Sequence, residues 1–374
     1  MNSPILQFGT SRFLQAHVDL FVSEAMGQGK ALGGIAVVQT TANPSSSERV
    51  GALARALPYP VRVRGLQDGV PIYELRWCHS VQAAWQAQHD WPRVRDAAVA
   101  AQVLVSNTGE QGYLLDAQDD ARLLNQDSQV PASFPAKLLV LLHLRWQLSP
   151  QAPLSLLPCE LVARNGETLR NVVIELARDW MAPMSFIDWL RDHCIWANSL
   201  VDRIVSEALH PVGAVAEVYA LWAIERQPRL VLPCLHPALV LTDDLESFEQ
   251  LKLYLLNLGH TFLAEMWRHA HRAHDETVVQ AMNDLGMSGE LEVVWTEEVL
   301  PVFDALGRGT AARQYLGTVR DRLRNPFLAH RIADIAQNHR QKKQRRMAPV
   351  VALAEKLGLS LAQPRMRAAL VELQ

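Results

Sequence analysis

The chain has little of what staples or anchors a fold from outside its core. Its only cysteines are Cys78, Cys159, Cys194 and Cys234, and no two stand in a C-x-x-C spacing. A disulfide framework and a thiolate zinc site are therefore not organising principles, and a reducing cytoplasm fits. No run of about 18 apolar residues occurs, and no basic segment followed by a long apolar stretch opens the chain, so neither a membrane span nor an export signal is read. Charge of one sign is missing too: 36 Lys and Arg stand against 39 Asp and Glu. Nothing in that balance suggests a nucleic-acid partner. The remaining composition, 49% hydrophobic and 20% charged over 374 residues, is that of a globular protein long enough for two domains, because single cores rarely grow beyond about 250 to 300 residues.

The first half alternates strand and helix signals, which argues for a doubly wound α/β sheet. Residues 5–8 form a short apolar strand, 9–12 a tight loop and 13–25 an amphipathic helix. Such an entry lets a pyrophosphate sit on helix N–H groups, with glycines where the backbone must approach closely. Here glycine is scarce. Gly9 is kept, Ser11 stands where the second glycine belongs and Leu14 where the third does. Residues 33–38 read as a second buried strand ending in Gln39-Thr-Thr-Ala-Asn43, with neither the acid that holds NAD ribose nor a basic residue for NADP. Residues 61–64 and 70–73 flank a Gln67-Asp-Gly69 turn as an antiparallel excursion. The strand at 103–105 leads into Ser106-Asn-Thr-Gly-Glu-Gln-Gly-Tyr113, where α/β folds place ligand contacts, although an ordinary polar turn reads the same way. Helices over 134–146 and 167–180 bracket a strand at 154–157.

In the second half, Lys252-Leu-Tyr-Leu-Leu-Asn257-Leu-Gly-His260 reads as one helix. At about 100° per residue, Lys252, Glu249, His260 and Asn257 fall near 0°, 60°, 80° and 140°. The polar arc is either a solvated face or one wall of a cleft. Lys252 and His260 stand roughly 12 Å apart along the axis.

Several ordered landmarks resemble the mannitol dehydrogenase family of polyol-specific long-chain dehydrogenases, and within it the hexuronate reductases acting on tagaturonate and fructuronate. Phe8-Gly-Thr-Ser-Arg-Phe-Leu-Gln-Ala-His17 is similar to the family's G-x-G-x-F-x-R-A-H opening, departing at Ser11 and Gln15. Ser106-Asn-Thr-Gly-Glu-Gln-Gly112 resembles S-N-T-T-E-A-G. Phe134-Pro-Ala-Lys137, Leu157-Pro-Cys-Glu-Leu161 and Asn198-Ser-Leu-Val-Asp-Arg203 follow in order. Lys252, Asn257 and His260 fall on K-x4-N-x2-H, and Arg324-Asn-Pro-Phe327 on R-x-N-P-F.

The resemblance implies a Rossmann-type dinucleotide-binding domain over residues 1–240 and a mainly α-helical catalytic domain over 241–374. It implies metal-independent hydride transfer between NAD, with NADP not excluded, and a sugar-derived secondary alcohol. Gly9, Ser11, Arg12, Phe13, Gln39, Asn107, Thr108 and Glu110 are the expected cofactor contacts. Oxidising an alcohol needs a base and donors for the developing alkoxide. Lys252 is the candidate base, since burial would favour its neutral form. Asn198 and Asn257 are the candidate donors, and His260 would fix a hydroxyl or orient the lysine. Glu249 would pass the proton to solvent or simply pair with Lys252 at i,i+3. Three more histidines, His269, His271 and His274, have spacings of two and three that do not match an i,i+4 zinc pair. Residues 290–304 read as one helix and 327–348 as a second, strongly basic one, on which Arg340 or Lys342 would meet a substrate carboxylate. A neutral polyol dehydrogenase and a catalytically silent nucleotide or sugar sensor are the alternative readings.

Overall fold

The computed structural model describes residues 3–41, 43–109 and 111–371. Glu110, one of the expected cofactor contacts, lies outside the described residues. The chain forms two units, one of residues 1–63 and 74–245, the other of residues 64–73 and 246–374.

In the first unit the apolar runs become strands β1 (Ile5–Phe8), β2 (Ile35–Gln39), β3 (Tyr59–Gln67), β4 (Val70–Cys78), β5 (Val81–Gln86), β6 (Val103–Ser106), β7 (Leu154–Pro158) and β8 (Cys194–Trp196). Six of them make an all-parallel sheet in the order β5-β2-β1-β6-β7-β8. Successive side chains point to opposite faces. Leu6, Phe8, Leu104 and Leu156 pack on one side with the helices Ala87–Ala100, Phe134–Leu148 and Asn165–Asp179. Ile5, Val37, Val103 and Leu157 pack on the other with Val18–Met26 and Pro44–Leu53. Both faces are covered, which is why these strands read as continuous apolar runs. The strand order reverses between β1 and β6, where Phe8 lies beside Ser106. Crossovers leave that point toward opposite faces, and a crevice opens at the strand ends.

The helix expected over residues 13–25 is two pieces, Arg12–Gln15 and Val18–Met26. His17 sits at the break. Its fully buried ring lies 4.7 Å from Phe13 and 4.5 Å from Phe21, and Nε2 is 3.1 Å from the Leu221 carbonyl. Burial pushes its pKa down to about 3, so the ring is neutral and donates from Nε2. Seating that ring interrupts the helix, a cost that apolar periodicity does not register.

Five further strands complete the unit: β9 (Ser199–Asp202), β10 (Val205–Ala208), β11 (Ala214–Ala216), β12 (Leu221–Glu225) and β13 (Leu239–Thr242). They form the sheets β13-β12-β9 and β10-β11-β3-β4. Between β3 and β4, Asp68 and Gly69 have φ of 53° and 75°. A two-residue hairpin turn of the primed type needs positive φ at both positions.

The tip of that hairpin is part of the second unit. Gly69 N–H donates to Asp321 at 3.1 Å, Asn325 Nδ2 donates to the Arg64 carbonyl at 3.4 Å, and the Arg64 guanidinium stands 5.6 Å from the Phe327 ring centre. Asn325 Oδ1 also accepts from Phe327 N–H at 3.0 Å. The Asn325-Pro-Phe327 motif thus clamps the hairpin tip.

Among the described residues, every other element of the second unit is helical, around a core that includes Leu255, Leu263, Trp295, Leu316 and Val350. Two segments, Lys252–Asn257 and Val294–Val299, are π-helical. The second lies inside the helical stretch expected over 290–304, which runs from Leu285 to Ala305. The basic stretch over 327–348 is not one helix. It is Ile332–Ile335 and His339–Arg346, parted by Asn338 at a left-handed φ of 54°. Asparagine tolerates that conformation.

Candidate active site

At the switch point of the sheet, Gly9 has φ of 121°, and a Cβ there would stand 2.7 Å from the Asn107 carbonyl oxygen. No other residue fits. Ser11 replaces a glycine because its hydroxyl is used twice. Its Oγ accepts from Leu14 N–H at 3.2 Å, capping Arg12–Gln15, and donates to Asn107 Oδ1 at 3.1 Å. Leu14 is fully buried in the core, so the third glycine position is filled by packing. Arg12 is exposed at the start of that short helix, and Phe13 is half-buried.

Gln39 ends β2, where ribose hydroxyls are held in this architecture. Its Nε2 donates to the carbonyls of Thr41 at 2.7 Å and Asn43 at 3.0 Å, while its buried Oε1 has no partner among the described residues. An orphaned acceptor at that place suits a hydroxyl donor. The residues present fit a dinucleotide.

Asn107 donates to the Cys159 carbonyl at 2.8 Å, and Thr108 is held by a residue that sequence reasoning did not single out. Glu160, buried just after β7, accepts from Ser106 Oγ, Thr108 N–H and Thr108 Oγ1, each at 3.0 Å, and from Tyr113 O–H at 3.2 Å. Its signal was an acid directly following a buried strand. A carboxylate that accepts this many bonds fixes the loop. Asn198 is buried as well. Its Oδ1 accepts from Glu167 N–H at 3.0 Å and its Nδ2 donates to Glu225 at 2.7 Å. One N–H of its amide is thereby committed, and the side chain has a second.

The site helix of the second unit is not the regular helix that the periodicity predicts. Leu245–Leu251 and Leu258–His269 are α-helical, and the Lys252–Asn257 segment between them is π-helical. Bonds from i to i+5 advance the chain only about 80° per residue. Lys252, Asn257 and His260 then fall at about 0°, about 40° and about −20°, instead of spreading to about 140°. The wider turn therefore gathers the amine, the amide and the imidazole on one face.

Widening a turn misaligns carbonyls, and this one provides for them. Trp295, from the second π segment, donates its indole N–H to the Leu255 carbonyl at 3.1 Å, and Gly259 leaves it room. Thr261 Oγ1 donates to the Asn257 carbonyl at 2.9 Å, and Arg346 Nη1 reaches the same oxygen at 3.3 Å.

Lys252, Glu249 and Asn257 are half-buried and His260 is buried, its ring 5.3 Å from that of His330. Burial lowers the pKa of His330. Of the two expected carboxylate contacts, Arg340 is exposed, whereas Lys342 is half-buried and donates to the Ile335 carbonyl at 2.7 Å. Sequence reasoning passed over Arg346 and over Glu265, whose buried carboxylate pairs with His339 and with Lys343 at 2.8 Å. His269 also meets Glu265, at 3.3 Å.

Sequence comparison supplies the wider context. The profile of the Mannitol dehydrogenase Rossmann domain matches residues 3–232, and that of the Mannitol dehydrogenase C-terminal domain matches residues 244–370. An altronate oxidoreductase of Halalkalibacterium halodurans is 30% identical over 92% of this chain and 69% of its own length. One from Klebsiella pneumoniae is 30% identical over 99% and 78%. Among solved structures, a substrate-free D-sorbitol dehydrogenase matches with a TM-score of 0.85 at 20% identity, over 100% of this chain and 80% of the other. The mannitol 2-dehydrogenase of Pseudomonas fluorescens, a ternary complex with NAD and D-mannitol, matches at 0.73 and 18%, over 100% and 79%. At those identities the structural likeness speaks for the fold. The profiles cover nearly the whole chain, in the order of its two units, and with the ordered motifs they place it: the chain belongs to the mannitol dehydrogenase family.

Proposed function

We propose that the protein is an NAD-dependent oxidoreductase that interconverts a ketose or ketouronate and its polyol or aldonate. The observation that carries this reading is the π segment, which turns Lys252, Asn257 and His260 to one face of the second unit. The relatives named altronate oxidoreductase support the sugar-acid side of the substrate range. Bound at the switch point of the first unit, NAD supplies the hydride acceptor.

In the oxidation direction Lys252 takes the hydroxyl proton as the C–H hydride leaves, and the amide N–H of Asn257 donates to the alkoxide that forms. His260 holds a neighbouring hydroxyl, and Glu249, one turn before the lysine, takes the proton toward solvent. In the reverse direction the lysine returns the proton to the carbonyl oxygen.

The test follows NADH and NADPH oxidation with tagaturonate, fructuronate and fructose, for the wild type and for Lys252→Met. Loss of a positioned general base typically costs a factor of about 10² to 10⁴ in rate. The variant is expected to lose that much of kcat while binding NADH as the wild type does. A kcat within threefold of wild type would remove Lys252 from the chemistry.

A further inference from the structure

The second unit contains a guanidinium that its own carboxylates leave alone. Arg272, Arg313, Arg320 and Arg365 each pair with an acid at 2.6 to 2.8 Å. Arg346 is half-buried and pairs with none among the described residues. It shares a face of the helix His339–Arg346 with Lys342, one turn earlier. Like charges at i,i+4 repel. Burial first, and a neighbouring cation second, holds both side chains below their ordinary pKa, Arg346 at about 10. Two half-buried cations without a counter-ion make a place for an anion.

The position of Arg346 identifies which anion. Its Nη1 donates to the Asn257 carbonyl at 3.3 Å and to Thr261 Oγ1 at 2.9 Å. The group therefore rests on the turn that carries the candidate alkoxide donor. Capping that carbonyl does not account for an arginine, because Thr261 Oγ1 already donates to it at 2.9 Å. The Nε and Nη2 edge has no protein acceptor among the described residues, and a planar fork of that kind matches the two oxygens of a carboxylate. The same helix is held in place from its buried side. His339 and Lys343 both bond Glu265 on the helix Leu258–His269, so the fork is set before substrate arrives.

We propose that Arg346 is the carboxylate receptor of this site, gripping the acid end of an aldonate or ketouronate with Lys342 beside it. The inference rests on the dehydrogenase reading above and narrows its substrate class to sugar acids.

Altronate and altritol, which differ in carrying a carboxylate or a hydroxymethyl group, separate the two ideas. In steady-state kinetics with NAD, Arg346→Gln is expected to raise KM for altronate by about 10- to 100-fold, the range for losing a charged hydrogen-bonding partner. Losing its bonds to the site turn costs altritol something too, but at least about tenfold less than altronate, and Arg346→Lys recovers part of the altronate loss. Thr261→Val removes the hydroxyl that Arg346 contacts but keeps the charge, and is expected to preserve the preference for altronate. Titration calorimetry of both compounds on the same proteins reads binding without turnover. A wild type inactive on altronate with NAD overturns the dehydrogenase reading, while calorimetry still decides the receptor. Wild-type binding of altronate no tighter than altritol, or an equal loss of both in Arg346→Gln, overturns the receptor itself.

Discussion

Gly259 is the residue on which the geometry of the site helix turns, and replacing it with alanine tests that directly. A Cβ at this position would stand 2.7 Å from Cζ2 and 3.3 Å from Cε2 of Trp295, a ring with no exposed surface. The indole cannot swing aside without giving up its bond to the Leu255 carbonyl. Overpacking a filled core costs about 1 to 3 kcal/mol. Losing the hydrogen bond adds about 1 kcal/mol, and the better helix propensity of alanine returns about 1 kcal/mol. The net is a loss of roughly 1 to 3 kcal/mol, or a lowering of Tm by about 1 to 4 °C for a chain of 374 residues. Gly317 is the internal control. It lies in the helix Gly309–Leu323 with nothing within 4 Å of the added methyl. Gly317→Ala is expected to raise Tm by about 1 °C through propensity alone. Scanning calorimetry of both variants, with tryptophan fluorescence to follow the indole, gives the answer. If Gly259→Ala is as stable as Gly317→Ala, Trp295 does not hold the π segment, and the shared face of Lys252, Asn257 and His260 has lost its physical cause.

Asp19, fully buried, accepts from Tyr59 O–H at 2.7 Å, and the Gln7 side chain also lies against its carboxyl group. Burial raises its pKa from 3.8 to about 7. The folded state thus keeps a proton that the unfolded chain releases near pH 4, and stability falls as pH rises from about 4 through 7, by on the order of 4 kcal/mol. Asp19→Asn is expected to flatten that slope in urea melts taken at pH 4.5, 6 and 7.5, and an unchanged slope refutes the assignment. Glu160→Gln leaves the bulk of the side chain but weakens its bonds to Thr108 N–H and Ser106 Oγ. NADH affinity, read by fluorescence titration, is expected to fall about tenfold for the loss of about 1.4 kcal/mol of loop order. Unaltered affinity would show that the loop is held without it.

The sheet was legible because its strands are buried on both faces, so Ile5–Phe8 and Val103–Ser106 announce themselves as short unbroken apolar runs. The dinucleotide loop was legible only by analogy, since two of its three glycine positions hold residues with other roles. Ser11 caps a turn and Leu14 fills the core, and neither choice follows from a rule about glycines. The break at His17 was hidden for the reason that conceals most tertiary effects. Its cause is the Leu221 carbonyl, some two hundred residues away in the chain. Glu160 had a visible position but no visible partner, because Thr108 and Tyr113 reach it only after β6 and β7 are side by side.

The basic run shows where charge patterning stops being informative and packing takes over. Arg340, Lys342, Lys343, Arg345 and Arg346 look equivalent in the sequence, yet their helix sorts them by the face each occupies. Lys343 faces Glu265 and is buried as an ion pair, while Arg340 and Arg345 are exposed. Lys342 and Arg346 lie between these extremes, one turn apart, too buried to be fully solvated and lacking a carboxylate among the described residues. A helix that needed cations only for solubility would turn them all outward, and one that needed them only for stability would supply each with an acid. This helix does both elsewhere along its length and neither at Lys342 and Arg346. The energy to keep two unpaired cations there is recovered when an anion binds, which is the thermodynamic mark of a binding site rather than of a structural contact.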